Sequence, residues 1–331
     1  MGLALIAVIA VSVVGTVLVL RPESNGNAGG GDNGGGNPPT SATSQNGKSE
    51  FASANDTGPV NIIAEDPTCD SWRAINNRLA EQEQAVSWSD RDKSSSASGW
   101  NPDERNVFES VGRALATAAD DSVKLSKATP HRVVRELYDQ FIAYARAFAQ
   151  SVPAYEPADN ATGETAHTVA STLTSLCSAV QNRSAATVAL LVTEAKPPST
   201  LGDPGDPGDP QTMFAAPISI CDRWNLEATN FNASIADWQS VSSNIPASEW
   251  TPEQRAIYDA VAPVMIAYAN KVEELGRQSG NAIVEDIAVL SAQYRRAYVK
   301  ALPGYTVADN DLSNTASYSA AIINVACKVV S

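Results

Sequence analysis

The sequence predicts an all-α fold of two tandem four-helix up-down bundles, each closed by a disulfide, after an N-terminal transmembrane helix and a disordered linker. Three observations predict it: the chain repeats itself, its apolar residues recur at helical spacing, and its four cysteines fall two to a repeat. Pairs of identical residues that stand 150 positions apart include Trp100 and Trp250, Arg105 and Arg255, Tyr144 and Tyr294, Pro153 and Pro303, Tyr155 and Tyr305, Asp159 and Asp309, and Cys177 and Cys327.

Residues 1–21 contain an uncharged, mostly apolar run from Gly2 to Leu20. As a helix this run would span about 28 Å, close to the ~30 Å hydrocarbon core of a bilayer. It lacks the basic start and the small-residue cleavage site of a signal peptide. An uncleaved anchor at residues 2–20 is therefore the favoured interpretation and a cleaved signal the alternative. Both send the rest of the chain out of the cytoplasm.

Residues 22–66 are dominated by glycine, proline, serine and asparagine. Such a composition buries too little apolar surface to offset the loss of chain entropy, so it predicts a disordered linker. We expect this linker to hold the globular part away from the bilayer.

Residues 67–182 and 217–331 are the two predicted helical repeats, and the Pro/Gly/Asp-rich residues 183–216 are predicted to link them. Apolar residues at three- and four-residue spacing predict the helices. Asn101-Pro102 and Thr251-Pro252 are starting signals for the second helix of each repeat. Pro153 and Pro303 are expected to end the third. The first helices are predicted at residues 70–88 and 222–240, and the fourth at 160–180 and 310–330.

The predicted bundle indicates which cysteines pair. Cys69 enters the first helix and Cys177 lies near the end of the fourth, and these two points share one end of an antiparallel four-helix bundle. We therefore predict the disulfides Cys69–Cys177 and, by the repeat, Cys221–Cys327. The alternative is two buried free thiols per repeat, but export from the cytoplasm favours disulfides.

The charge balance argues against two classes of binding partner, nucleic acids and anionic lipids. Lys and Arg number 23 against 37 Asp and Glu, a net charge of −14, and no basic cluster occurs. The sequence thus predicts no nucleic-acid partner, because phosphate binding needs clustered cations. The same acidity argues against docking on anionic lipid headgroups.

No catalytic set recurs in the repeats. His131 and His167 are replaced by Asn281 and Ser317, and the cysteines are assigned to disulfides. The single Glu164-x-x-His167 motif has no second copy, as a di-iron bundle would require. The sequence therefore predicts no enzyme, no cofactor and no metal. Acid pairs such as Glu285-Asp286 are expected to be solvated on helix faces.

Six residues that the bundle itself does not require gather at one end of each predicted bundle: Arg105, Tyr155 and Asp159 in the first repeat, and Arg255, Tyr305 and Asp309 in the second. Each Arg and Asp could form a structural pair or an anion site at two helix N-termini. Each Tyr could anchor a loop or contact a ligand. The six tryptophans, three to a repeat, suit core packing better than an aromatic ligand cage. These six Arg, Tyr and Asp residues are the predicted binding residues.

The anchor, the Gly/Pro linker and the repeated Cys-Asp-x-Trp, Trp-x-Pro, Pro-x-Tyr and Asp-Asn elements resemble uncharacterised, membrane-anchored exported proteins of mycobacteria and related actinobacteria. That resemblance implies no known activity or site residues. The sequence predicts a single-pass, non-catalytic binding or scaffolding protein of the cell envelope with both repeats outside the cytoplasm. Its partner would be an envelope protein. The alternative is a carrier or sensor for a small apolar or lipid-like ligand.

Overall fold

The computed structural model describes residues 50–331. Regular structure in this range is entirely helical, which confirms the all-α prediction. Short 3-10 turns connect the helices. The helices are α1 (Cys69–Ala85), α2 (Pro102–Ala128), α3 (Arg132–Ser151), α4 (Asn160–Gln181), α5 (Ser184–Val188), α6 (Cys221–Ser234), α7 (Ala236–Gln239), α8 (Pro252–Gln278), α9 (Ala282–Ala301) and α10 (Asn310–Val329).

Helices α2 and α8 begin where the sequence predicts, because a side chain satisfies backbone N–H groups that have no partner inside the helix. The side-chain oxygen of Asn101 accepts hydrogen bonds from the N–H groups of Asp103 and Glu104. Thr251 accepts one from Gln254. In both helices the side-chain oxygen of the third residue accepts a hydrogen bond from the backbone N–H of the capping residue, which completes a capping box.

The first helix of each repeat is shorter than predicted, and the reason is a turn just before a tryptophan. After α1, Ser87 adopts a left-handed conformation with φ of 51°, and Trp88 follows in a 3-10 turn. In the second repeat α6 ends at Ser234, and Trp238 lies in the four-residue α7. Both tryptophans therefore leave the axis of the first helix.

The four long helices of each repeat pack in a closed ring. In the first repeat α1 contacts α2, α2 contacts α3, α3 contacts α4, and α4 returns to α1. Helices α6, α8, α9 and α10 pack in the same order. The predicted disulfides are confirmed: Cys69 is bonded to Cys177, with 5.2 Å between their Cα atoms, and Cys221 to Cys327, with 5.7 Å.

The two repeats pack against each other through α4 with α10 and α3 with α9, and one continuous cluster of buried apolar residues spans both. The side-chain amide of Asn182, just after α4, donates to Asp311 Oδ2 at 2.7 Å and to the Ala308 carbonyl at 3.3 Å. Because the end of α4 meets the start of α10, these two helices run antiparallel.

The segment before the first helix of each repeat crosses to the other repeat. The Tyr294 hydroxyl on α9 lies 3.3 Å from the backbone N of Ile63 and 3.4 Å from its carbonyl oxygen. Reciprocally, Gln140 on α3 accepts a hydrogen bond from the backbone N–H of Met213 and donates to the Gln211 carbonyl. The predicted linker at 183–216 thus packs along the surface of the repeats.

The predicted disordered linker at 22–66 needs correction over its last part, because residues 50–66 are ordered. Phe51, Val60 and Ile63 are buried. The Asp66 carboxylate accepts hydrogen bonds from the Thr68 backbone N–H at 2.8 Å and the Thr129 hydroxyl at 2.5 Å. These few apolar residues were hidden in the average composition of a polar segment.

Two predictions fall on the part of the chain that the structure does not describe. These are the anchor at 1–21 and the linker up to residue 49. Within residues 50–331, no helix combines the length and the apolarity needed to cross a membrane.

Candidate functional site

Arg105 and Tyr155 lie in an aromatic cluster at one end of the first repeat. The Trp100 ring stacks on Tyr155 with 5.3 Å between centroids, and the Arg105 guanidinium lies 5.8 Å from the Trp100 centroid. Arg105 Nη2 also donates to the Ala97 carbonyl at 2.8 Å. Arg255 repeats this geometry in the second repeat, over Trp250 and on the Ala247 carbonyl.

The two predicted tyrosines fasten the loop that precedes the second helix. The Tyr155 hydroxyl donates to the Lys93 carbonyl, and the Tyr305 hydroxyl to the Ser243 carbonyl. Burial raises the pKa of both phenols above the ordinary value of 10, to about 12 for Tyr155. Both therefore stay protonated and remain hydrogen-bond donors. This is the loop-anchoring role that the sequence offered as one of two interpretations.

The two predicted aspartates are used locally. Asp159 Oδ2 accepts the backbone N–H of Glu156 at 2.8 Å. Asp309 Oδ2 accepts the backbone N–H of Thr306 at 2.7 Å and its hydroxyl at 2.9 Å. Each Arg of the predicted set instead bonds to a main-chain carbonyl. Among the described residues, Arg105 and Arg255 form no ion pair with Asp159 or Asp309.

The two sets of predicted residues do not share a surface. Because α4 and α10 are antiparallel, the end of the first repeat that carries Cys177 lies beside the end of the second that carries Asp309. Arg105, Tyr155 and Asp159 therefore lie at the opposite end of the molecule from Arg255, Tyr305 and Asp309. At the junction, burial raises the pKa of Asp311 to about 6 despite its hydrogen bond from Asn182.

A buried charged cluster, which was not predicted from the sequence, lies where α3 meets α9. Arg132 donates through Nε to Asp286 Oδ2 at 2.6 Å and through Nη2 to Oδ1 at 3.2 Å. A guanidinium of the first repeat thus holds a carboxylate of the second in bidentate geometry. The same guanidinium donates to the carbonyls of Asp56 and Gly58. Arg132 is only 4% exposed and Asp286 only 2%.

Glu136 occupies in the first repeat the position that Asp286 occupies in the second. Burial and the nearby charge of Asp286 raise the pKa of Glu136 well above its ordinary 4.5, against the opposing effect of Arg135 and Arg132. Arg135 contacts Glu136 Oε1 at 3.3 Å and Asp139 Oδ2 at 3.1 Å. Burial also raises the pKa of Asp139 above its ordinary 3.8, against hydrogen bonds from Ser126 and Arg135.

The expectation that Glu285 and Asp286 are solvated is wrong, since they are 3% and 2% exposed. Arg277 Nη1 donates to Glu285 Oε1 at 2.7 Å, as does the backbone N–H of Ser199 at 2.9 Å. The error arose because α9 was assigned to one isolated bundle, whereas α3 and residues 194–199 cover it as well. One feature of the sequence indicated a buried role for Asp286: the first repeat also has an acid, Glu136, at the corresponding position.

His167, the residue weighed as a metal ligand, forms a dyad with Glu83. Its Nε2 lies 2.6 Å from Glu83 Oε1 and its Nδ1 2.7 Å from the Gly163 carbonyl. Burial disfavours the imidazolium, but Glu83 and that carbonyl outweigh it, so the pKa of His167 is raised. Within residues 50–331, no group of three or more His, Cys, Asp or Glu side chains is placed to hold a metal ion.

Known proteins include relatives of this chain. No solved structure matches the chain. An uncharacterised protein of Mycolicibacterium smegmatis (strain MKD8) is 38% identical over 328 residues, which cover 99% of this chain and 84% of that protein. Residues 51–331, nearly all of the part described above, match the family described as mycobacterial ESX-1 associated protein. The chain therefore belongs to the mycobacterial ESX-1 associated protein family.

Proposed function

We propose that this chain is a non-catalytic binding or scaffolding protein of the mycobacterial cell envelope, and that it acts with a protein of the ESX-1 secretion system. The observation that carries the proposal is the single continuous core of residues 50–331, tied by one disulfide in each repeat. Such a body presents fixed surfaces to a partner. The family description supports the class of partner.

Placement outside the cytoplasm is part of the same proposal. Both cysteine pairs are oxidised, and stable disulfides are typical of compartments beyond the reducing cytoplasm. The apolar run at residues 2–20 would supply the membrane anchor. The predicted binding residues are held by loop and cap hydrogen bonds, so we assign them a supporting role under the partner surface.

The carrier alternative needs an apolar cavity large enough for a ligand, typically ~300–1,000 Å³. A cavity of about 440 Å³ lies between α1 and α2, but Arg78, Glu81, Arg113 and Asp121 line it. A second cavity, between α6–α7 and α8, measures about 260 Å³. One is too polar and the other too small for a lipid-like ligand, which favours scaffolding.

Crosslinking in mycobacterial membranes tests the proposed function. A photo-crosslinking residue at Val307, whose side chain is 47% exposed, is expected to capture an ESX-1 component. The same residue at the buried Leu290 is the matched control and is expected to capture nothing. Recovery of lipid alone, or of no ESX-1 component from positions spread over the exposed surface, contradicts the proposal.

Placement is tested separately by adding protease to intact spheroplasts. Cleavage of residues 50–331 is expected without lysis. Protection until the membrane is broken contradicts the proposed placement.

A further inference from the structure

In the first repeat an arginine lies on the face of a tryptophan. The Arg91 guanidinium carbon is 3.6 Å from the Trp88 ring centroid. Arg91 Nη1 donates to the Trp88 carbonyl at 2.9 Å, and Nη2 to Asn160 Oδ1 at 2.9 Å. The ring, the carbonyl and the amide together form a site for a guanidinium, which stacks on aromatic faces while its N–H groups find acceptors.

The second repeat has a tryptophan and an asparagine at the corresponding positions, Trp238 and Asn310, and lacks the arginine. Trp88 makes an edge contact with Phe148 at 6.0 Å and 72°, and Trp238 makes one with Tyr298, 150 positions on, at 5.9 Å and 72°. Trp238 therefore keeps one ring contact of Trp88. The position of Arg91 is taken by Val241, whose backbone N–H bonds to the Trp238 carbonyl just as that of Arg91 bonds to Trp88.

The groups that would receive a guanidinium remain available in the second repeat. Trp88 is buried, with 6% exposure, whereas Trp238 is partly exposed. Asn310 stands where the first repeat has Asn160, and its side-chain amide has no hydrogen-bond partner among residues 50–331. Asp237 is exposed beside the ring and forms no ion pair within the described residues.

The cavity of about 260 Å³ beside Trp238 adds room for a neighbouring side chain. Ile235, Ile257 and Val261 line it together with Trp238 and Asp237. Apolar walls with one carboxylate at the rim suit a basic residue next to an apolar one. The volume is below that of a typical small-molecule site and matches side chains of a polypeptide better.

We propose that Trp238, Asn310 and Asp237 form a docking site for an arginine side chain on a partner protein, which takes the place that Arg91 fills within the first repeat. The exposed carboxylate of Asp237 complements that cation. Arginine and tryptophan are also the residues that most often dominate the binding energy of protein interfaces. This inference rests on the proposed function and specifies the chemistry of its partner.

The test is a titration of residues 50–331 followed by NMR at the indole N–H signals. The probe is the capped tripeptide acetyl-Gly-Arg-Gly-amide, and its matched control replaces arginine by the neutral isostere citrulline. The Trp238→Phe variant identifies the signal of Trp238. A saturable shift at Trp238 with the arginine peptide alone is expected. Equal shifts with both peptides, or no shift at Trp238, overturn the proposal.

Val241→Arg rebuilds inside the second repeat the arginine of the first. It is expected to cover Trp238 and to weaken binding of the arginine peptide about tenfold or more. Ser242→Arg is the matched control, because it adds the same charge one residue further on, and it is expected to bind clearly better than Val241→Arg. Asp237→Asn, an exposed substitution, tests the site independently and should also weaken binding. Equal affinities for the two arginine variants overturn the proposal.

The failure of this inference can be told from that of the proposed function. If Val241→Arg leaves the capture of an ESX-1 component in membranes unchanged, the docking site is wrong and the proposed function stands. If wild-type protein captures no such component but Trp238 binds the arginine peptide, the proposed function fails and the site remains.

Discussion

Glu136 and Asp286 bring two carboxyl groups to one buried place beside Arg132. A buried carboxylate without a full cationic partner is costly, so one of the two carboxyls is expected to stay protonated. Arg132 donates two hydrogen bonds to the carboxylate of Asp286. Glu136 is the group whose pKa is raised, and its proton removes the repulsion between the two acids.

This arrangement predicts that stability falls as the pH rises above the ordinary glutamate value of 4.5. Between that value and the raised pKa, folded protein holds a proton that the unfolded chain has released. Glu136 therefore contributes its full stabilisation below pH 4.5 and loses up to about 1.4 kcal/mol per pH unit as the pH rises toward its folded pKa. Glu136→Gln keeps the uncharged shape and should remove this dependence.

Urea unfolding of both proteins from pH 5 to 9 measures the difference. Glu136→Gln should gain stability relative to wild type as the pH rises. Glu81→Gln, which removes an exposed carboxyl from α1, is the control and should follow wild type. Parallel curves for Glu136→Gln and wild type would contradict a protonated Glu136.

Helices α8 and α9 approach each other closely at Gly276. A Cβ atom added at Gly276 would lie 2.3 Å from the Cβ of Ala288. The corresponding position in α2 is Ser126, whose hydroxyl donates to Asp139 at 2.5 Å. The absence of a side chain at Gly276 therefore permits this contact, and no positive φ is involved.

Gly276→Ala is expected to destabilise the protein by about 1–3 kcal/mol, because the two helices must move apart. This loss outweighs the gain of up to ~1 kcal/mol from the better helix propensity of alanine. Gly304→Ala is the control, since no atom lies within 4 Å of a Cβ built there. Equal urea midpoints for the two variants would show that α8 and α9 can separate at no cost.

Local rules explain which helix ends were predictable from the sequence. Asn101 and Thr251 start helices through hydrogen bonds within a few residues, and Pro153 and Pro303 stop them by blocking the next backbone bond. The ends of α1 and α6 were not predictable in this way. Trp88 and Trp238 leave the helix to contact Phe148 and Tyr298 on α3 and α9, and a single-helix pattern does not show such contacts.

At the level of the complete chain, each disulfide closes a long loop within a unit that shares one core. The bonded cysteines are 108 and 106 residues apart. Closing a loop of this length stabilises by roughly 4–5 kcal/mol in the chain-entropy model. Replacing Cys69 and Cys177, or Cys221 and Cys327, by serine should therefore lower the unfolding temperature of residues 50–331 in a single transition.

Calorimetry of the two double variants measures this effect. Thiol labelling in denaturant is the control: wild type should label only after reduction. Two separate transitions, with only one of them shifted, would show that the repeats unfold independently and would contradict the shared core.

The contact between the repeats, where α3 packs against α9, could not be predicted from the sequence. The periodicity of a helix identifies one buried face, whereas α3 and α9 are buried on nearly every side. Arg132 on α3 and Asp286 on α9 belong to different repeats, so no local spacing joins them. The disulfides were predictable because both cysteines of each pair belong to one bundle end.

The segments that contain Ile63 and Met213 each pack on the other repeat, and this exchange suggests an evolutionary origin for the chain. In a polypeptide with only one repeat, the segment before the first helix would find no third helix of another repeat to pack against. Two copies would satisfy each other by exchanging these segments about a twofold axis, as in a domain-swapped homodimer. The present chain has the geometry of that dimer joined into one polypeptide. Fusion frees each half from remaining identical, and Arg91 in one half opposite Val241 in the other is such a divergence.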